Sequence, residues 1–151
     1  MIWQYDIRVV VMLTNLVEGG GFTCIKCNMY WPESVGDTKR FGDIEVQLFD
    51  KAEVGTHSNL PCPYPLLSKA PNYIVRKLDV THRGPTECSN RVVVHIQFTN
   101  WLDRSAPEDA GNLIQLVQLT RVMYNQFSNK QGDTPSPLLV HCSAGVGRTG
   151  N

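Results

Sequence analysis

Neither sign of charge dominates this chain of 151 residues: 14 Lys and Arg meet 14 Asp and Glu, for a formal net charge of +0. A balanced surface lacks the basic footprint that nucleic acid or an anionic membrane selects, so any phosphate recognition has to be local. Long apolar runs are missing too. The best of them, Val9 to Leu13, falls far short of the ~20 residues a membrane helix needs, and no basic-then-apolar leader opens the sequence, so no membrane contact is expected. Cysteine is odd in number, at positions 24, 27, 62, 88 and 142, which argues against a disulfide framework and for reduced thiols in the cytoplasm. Cys24-x-x-Cys27 has the spacing of zinc and redox sites, yet no second pair or His-x3-His supplies the further ligands a structural zinc requires. That spacing is read as coincidental, and no metal or cofactor is assigned. What remains, 42% hydrophobic and 19% charged with a mean hydropathy of −0.21, is an ordinary globular composition of a length suited to one domain. Nothing in it bears on oligomeric state.

The chemistry is concentrated at the far end of the chain. Leu138 to Val140 reads as a short buried strand that delivers Cys142 onto a loop, Ser143-Ala144-Gly145-Val146-Gly147, too rich in small residues for regular structure. Gly145 and Gly147 let the backbone curl, so that successive N–H groups turn inward as an anion-binding nest. Arg148, six residues after the cysteine, can return across the mouth of the loop and bind two phosphate oxygens with its planar fork. The same positive field lowers a thiol pKa from ~8.5 towards ~3.5–7.5, which makes Cys142 a thiolate nucleophile near neutrality. A cysteine behind an apolar strand is more often a packed core residue. Packing, however, does not explain two glycines, an arginine and the Thr149 hydroxyl at fixed offsets.

Upstream, Met1 to Tyr5 reads as the tail of a helix and Arg8 to Thr14 as a β-branched strand buried on both faces. Glu18-Gly19-Gly20-Gly21 is a flexible turn. Phe41 to Phe49 alternates as a half-exposed strand, with Ile44, Val46 and Leu48 on one face. The stretch from Leu60 to Pro71 is too proline-dense for a helix or a central strand and reads as an irregular loop. Tyr73 to Val80 and Arg91 to Phe98 form the two arms of a hairpin joined around Arg83-Gly84-Pro85. Pro107-Glu108-Asp109 opens a helix, with proline in the first turn and two acids at its positive end. Leu113, Leu116, Val117, Thr120 and Met123 bury one face of that helix and leave Gln115, Gln118 and Asn125 outside. Asn129 to Pro137 is the return loop to the cradle.

The run His141-Cys142-Ser143-Ala144-Gly145-Val146-Gly147-Arg148-Thr149-Gly150 resembles, letter for letter, the signature of the classical, tyrosine-specific protein tyrosine phosphatases. Lys26-Cys27-x-x-Tyr30-Trp31-Pro32 and Phe98-Thr99-Asn100-Trp101-Leu102-Asp103 resemble two further landmarks, the second being a mobile loop that carries the general acid. Dual-specificity phosphatases and arsenate reductases share the Cys-x5-Arg spacing but lack both landmarks. Leu102, Ser105 and Ala106 depart from the proline, glycine and bulkier residue usual in that loop, and leucine loosens a backbone that proline pre-sets. The resemblance implies an α/β fold, a highly twisted mixed β-sheet flanked by helices. It also implies hydrolysis of phosphotyrosine in proteins through a cysteinyl-phosphate, without metal or cofactor. The implied roles are Cys142 as nucleophile, Arg148 as oxyanion clamp, and the N–H groups of Ser143, Ala144, Gly145, Val146, Gly147 and Arg148 as the cradle. Asp103 matches the general acid and then base; Thr149, His141 and Trp101 are supporting residues.

Because the family's domain is longer at both ends, residues 1–151 are read as a partial domain, without the N-terminal substrate loop and the C-terminal helices. Alone, such a chain is expected to bind phosphate weakly, with the Cys142 thiol close to a free one and Arg148 unheld. The parent protein is expected to be a soluble enzyme or the intracellular part of a receptor. The alternative reading is a phosphotyrosine-binding pseudophosphatase, such as the distal domain of a tandem receptor, in which an intact cradle is paired with a defective acid loop.

Overall fold

A computed structural model of the chain describes residues 1–19, 24–54, 73–84, 88–101, 105, 110–128 and 135–150. Its elements in order are β1 (Val9–Met12), β2 (Val17–Glu18), β3 (Cys24–Ile25), β4 (Thr38–Phe41), β5 (Ile44–Val54), β6 (Tyr73–Arg83), β7 (Cys88–Phe98), α1 (Ala110–Ser128) and β8 (Leu138–His141). Six strands make one sheet in the order β4-β5-β6-β7-β1-β8, and β2 with β3 forms a separate ribbon. Pairing is antiparallel from β4 to β7, whereas β1 runs parallel to both of its neighbours. The sequence of β1 dictates that position. Val-Val-Val-Met has no polar side chain to offer water, so it fits only where both faces are covered, and all four residues are buried. The architecture is therefore α/β with a mixed sheet, as the resemblance implied.

On one face of the sheet, Val9, Val11, Val94, Ile96 and Phe98 meet α1 through Leu116, with Leu113, Leu119 and Met123 partly buried against them. On the other face, Val10, Met12, Leu48, Leu78 and Val93 are covered by Ile7 and Trp31, with Trp3 and Tyr30 at the margin. Trp31 and Tyr30 come from the irregular segment that follows β3. The N-terminal turn is pinned by Arg91, whose guanidinium sits 3.6 Å from the Trp3 ring centroid and pairs with Asp6 at 2.7 Å.

Several local readings change. Met1 to Tyr5 is a single turn closed by the Tyr5 N–H on the Met1 carbonyl at 3.0 Å and broken by Asp6 at φ 51°, not the tail of a helix. Phe41 to Phe49 is not one strand: Gly42 adopts φ 59° and opens a two-residue turn, so that Phe41 pairs with Ile44 across a hairpin. A glycine in the first turn position supplies that dihedral without strain. The β6–β7 hairpin is present, but each arm runs to 11 residues because the polar ends Thr81–Arg83 and Cys88–Asn90 also pair. Val93 to Phe98 is buried on both faces, His95 and Gln97 included. Val117 is 60% exposed instead of packed against the sheet. The Leu60 to Pro71 loop, Gly20 and Gly21, Pro85, the helix start at Pro107-Glu108-Asp109 and positions 129–134 of the return loop lie outside the described residues.

Ile96 is fully buried at the centre of the α1-facing core, so Ile96→Ala should cost about 2–5 kcal/mol through lost transfer energy and an unfilled cavity. Ile114, 58% exposed on α1, should tolerate alanine within about 0.5 kcal/mol. Urea unfolding midpoints of the two variants check the contrast.

Candidate active site

The parallel register of β1 and β8 pairs Met12 with His141, and the Leu13 N–H continues it by bonding the His141 carbonyl at 2.8 Å. That register brings two loops together. One, Thr14 to Leu16, leaves the end of β1 and runs into β2 with Glu18; the other, Cys142 to Gly150, leaves the end of β8. Cys142 is 8% exposed at the base, and Ser143, Ala144, Gly145, Val146 and Gly147 form an exposed rim. Gly145 bends the rim back at φ 76°, and its N–H meets the Cys142 Sγ at 3.3 Å. A Cβ there would meet open space, so the glycine is needed for its dihedral and not for room. Gly147 keeps an ordinary backbone and contributes its N–H. Burial pushes the Cys142 thiol up, but the Thr149 hydroxyl and the N–H groups of Thr149, Gly145 and Gly147 outweigh it and bring the pKa to about 7. The Thr149 Oγ1 is buried and makes no well-formed hydrogen bond among the described residues, so it acts on the thiol as a nearby dipole beside the backbone N–H groups.

Arg148 is held from below. Its Nη1 donates to the Leu13 carbonyl at 2.8 Å and to Glu18 Oε1 at 2.7 Å, while Nη2 donates to Glu18 Oε2. The Glu18 carboxylate also accepts from the Asn15 N–H at 3.0 Å and the Thr14 hydroxyl at 3.2 Å. Burial pushes the Glu18 carboxyl up, but Arg148 and these two donors outweigh it and hold it below the usual carboxylate range. Both side chains of the pair are less than one-tenth exposed. The expectation of an unheld Arg148 and a near-free thiol is thereby corrected: the loop N–H groups and Glu18 organise both within these 151 residues. Sequence reasoning placed Glu18 only in a turn. The available signal was its isolation, for it is the only charged residue between Arg8 and Lys26.

His141 lies behind the cradle. Its Nδ1 is 2.9 Å from the Cys142 carbonyl and its Nε2 is 2.7 Å from the Tyr30 hydroxyl, which also meets His95 Nε2 at 2.9 Å. Trp101 is buried in the same cluster as Cys142, and its Nε1–H bonds the Ser105 carbonyl at 2.8 Å. Asp103, Leu102 and Ala106 lie outside the described residues. Between α1, β1, β8 and the cradle is an apolar cavity of about 500 Å³, bordered by Leu13, Leu116, Val117, Tyr124, Val140 and Thr149. Cys24, Cys27 and Cys88 are free thiols, and the described residues contain no cluster of three metal-ligating side chains. The arrangement combines an acidified thiol, inward N–H groups and a fixed guanidinium, which together suit nucleophilic attack on a bound oxyanion.

The family model for protein-tyrosine phosphatase matches residues 1–151. Receptor-type tyrosine-protein phosphatase C of Mus musculus is 37% identical over 150 residues, covering 99% of this chain and 10% of the relative. Tyrosine-protein phosphatase non-receptor type 7 of Mus musculus is 36% identical over 150 residues, covering 99% of this chain and 33% of the relative. Among solved structures, the catalytic domain of human protein tyrosine phosphatase non-receptor type 18 superposes with a TM-score of 0.71 at 26% identity, over 99% of this chain and 43% of that one. The same phosphatase in complex with HER2-pY1248 phosphopeptides gives a TM-score of 0.71 at 25% identity, over 99% and 45%. The chain thus spans a tenth to a third of the length of these curated relatives. With that match over its whole length, the chain belongs to the protein tyrosine phosphatase family.

Proposed function

We propose that the protein hydrolyses phosphotyrosine in proteins through a cysteinyl-phosphate intermediate. The observation that carries this reading is the Cys142 thiol, brought to about 7 by the surrounding N–H groups, beside an Arg148 fork fixed by Glu18. The thiolate attacks phosphorus and the bond to the tyrosine oxygen breaks. N–H groups from Ser143 to Arg148, with the guanidinium, take the charge on the three remaining oxygens. Asp103 gives its proton to the leaving phenolate. It then takes a proton from the water that attacks the cysteinyl-phosphate, and inorganic phosphate and the thiolate are released. His141 steadies the Cys142 carbonyl, Thr149 assists the departing thiolate, and Trp101 anchors the start of the acid loop.

Phosphotyrosine as substrate is supported by the phosphopeptide complexes of the non-receptor type 18 relative. A thiolate nucleophile has to stay reduced, which suits the cytoplasm. No helix among the described residues is long and apolar enough to cross a membrane, and the relatives include receptor and non-receptor proteins. A second reading, a pseudophosphatase that binds phosphotyrosine without turnover, is favoured by one feature: Leu102, whose backbone is less constrained than proline's.

Cys142→Ser should abolish turnover of an aryl phosphate while phosphopeptide binding survives, and Arg148→Lys should lose both, because a point charge cannot replace the bidentate fork. Steady-state kinetics with a binding titration checks this. Alkylation of Cys142 by iodoacetamide should rise with pH about a midpoint near 7, the thiolate being present above it. Glu18→Gln removes the carboxylate from the buried pair with Arg148, so it should cost about 3–5 kcal/mol in unfolding free energy at pH 7. The wild-type carboxyl is held low by folding, so its contribution is complete above the ordinary carboxylate range and lost as pH falls below it; the gap between the two proteins should close in acid. Asp103→Asn should depress kcat on phosphotyrosine far more than on an aryl phosphate with a good leaving group, which needs no proton. Equal losses, or none, would favour the pseudophosphatase.

A further inference from the structure

Arg76 is a buried cation on β6, only 6% exposed, with no salt bridge among the described residues. Its guanidinium lies 4.5 Å from the Trp31 ring centroid, and its Nη1 donates to Gln97 Oε1 at 3.0 Å and faces His95 Nδ1 at 3.3 Å. Gln97 in turn donates to the Thr14 carbonyl at 3.2 Å, which fixes its amide with the oxygen toward Arg76. Burial lowers the Arg76 pKa to about 10, which still leaves it protonated at neutral pH. An arginine can only donate.

That fact orders every proton beyond it. His95 Nδ1 faces a pure donor and has to be bare, so the proton of the neutral ring sits on Nε2 and is given to the Tyr30 oxygen at 2.9 Å. Burial, Arg76 and His141 all hold His95 well below its ordinary pKa, which keeps the ring neutral. Tyr30 has one proton. Burial raises its pKa further, so it keeps that proton, and with His95 already donating, the only acceptor left among the described residues is His141 Nε2 at 2.7 Å. His141 then carries its own proton on Nδ1 and donates it to the Cys142 carbonyl at 2.9 Å. We propose that Arg76 is a positioning residue that reserves the single Tyr30 proton for His141, and so sets the direction of a relay from Arg76 through His95, Tyr30 and His141 to the Cys142 carbonyl.

The consequence lies in the peptide between Cys142 and Ser143. A hydrogen bond to its carbonyl polarises the unit and strengthens its N–H, which belongs to the first cradle residue. Without Arg76, His95 is free to take either tautomer, and in one of them its Nε2 competes with His141 for the Tyr30 proton. Other groups near the relay are Cys27, which raises Tyr30, and Glu53, which acts on Arg76. The value of the relay to the cradle rests on the phosphatase reading, but the direction of its hydrogen bonds does not.

Nitrogen-15 NMR of the histidine rings in the 151-residue chain at neutral pH tests the proposal. In the wild type, His95 should be protonated at Nε2 and His141 at Nδ1, each as a single tautomer. Arg76→Met should give a mixture at His95, shift His141 Nε2 toward a ring nitrogen without a hydrogen bond, and move the Cys142 alkylation midpoint up. Arg76→Lys, which also can only donate, should restore all three. Tyr30→Phe should reproduce the His141 shift and leave His95 in one tautomer. A proton on His95 Nδ1 or His141 Nε2 in the wild type overturns the proposal whether or not the variants fold, as do unchanged rings in a folded Arg76→Met. Turnover enters none of these readouts, so a chain that carries the relay but fails to hydrolyse phosphotyrosine removes the function and leaves the relay standing.

Discussion

The bidentate pair between Glu18 and Arg148 is the contact on which the site depends. A buried ion pair adds little net stability, since desolvation of both groups offsets their attraction. Its effect is geometric. Two parallel hydrogen bonds and the Leu13 carbonyl leave the guanidinium little freedom, so the fork is held in one orientation beside the Cys142 loop. Partial neutralisation by Glu18 also divides the labour. The thiol is acidified by the Thr149 hydroxyl and the N–H groups of Thr149, Gly145 and Gly147, while Arg148 is held by Glu18 and the Leu13 carbonyl.

Both members of that pair owe their positions to β1. Its four apolar residues hold the centre of the sheet, with β7 on one side and β8 on the other, so the loops leaving β1 and β8 emerge at the same edge. The same register that presents Leu13 and Glu18 to Arg148 presents His141 to the layer of Tyr30 and His95 on the opposite face. One strand thereby ties the Cys142 loop to the aromatic cover of the sheet.

The loop was legible because its pattern is local: Cys142, Gly145 and Arg148 stand within seven residues, and the structure places all three on the segment that leaves β8. The double burial of β1 was legible for a similar reason, since an unbroken apolar run admits few placements. Glu18, Tyr30, His95 and Arg76 were not, because their partners lie far away in sequence and no period relates them to Cys142. The hairpin at Gly42 was missed because alternation continues in phase across a two-residue turn, and only the dihedral betrays it. Val117 was misplaced because a helical period marks an apolar face without saying which part meets the sheet and which borders the cavity.

The hydrogen bond from Arg148 to the Leu13 carbonyl joins residues 135 positions apart, and the pair with Glu18 spans 130. Such a site has high contact order, so its loop-closure entropy is met late in folding. Among the described elements, the antiparallel β4–β7 arms have neighbours close in sequence, whereas β1 is made well before its partner β8. Until then one edge of an entirely apolar strand stays open to pairing with other chains. Cys142 therefore has Arg148 fixed beside it only once β8 has docked on β1, and a sheet not yet paired there exposes a sticky edge before the two loops have met.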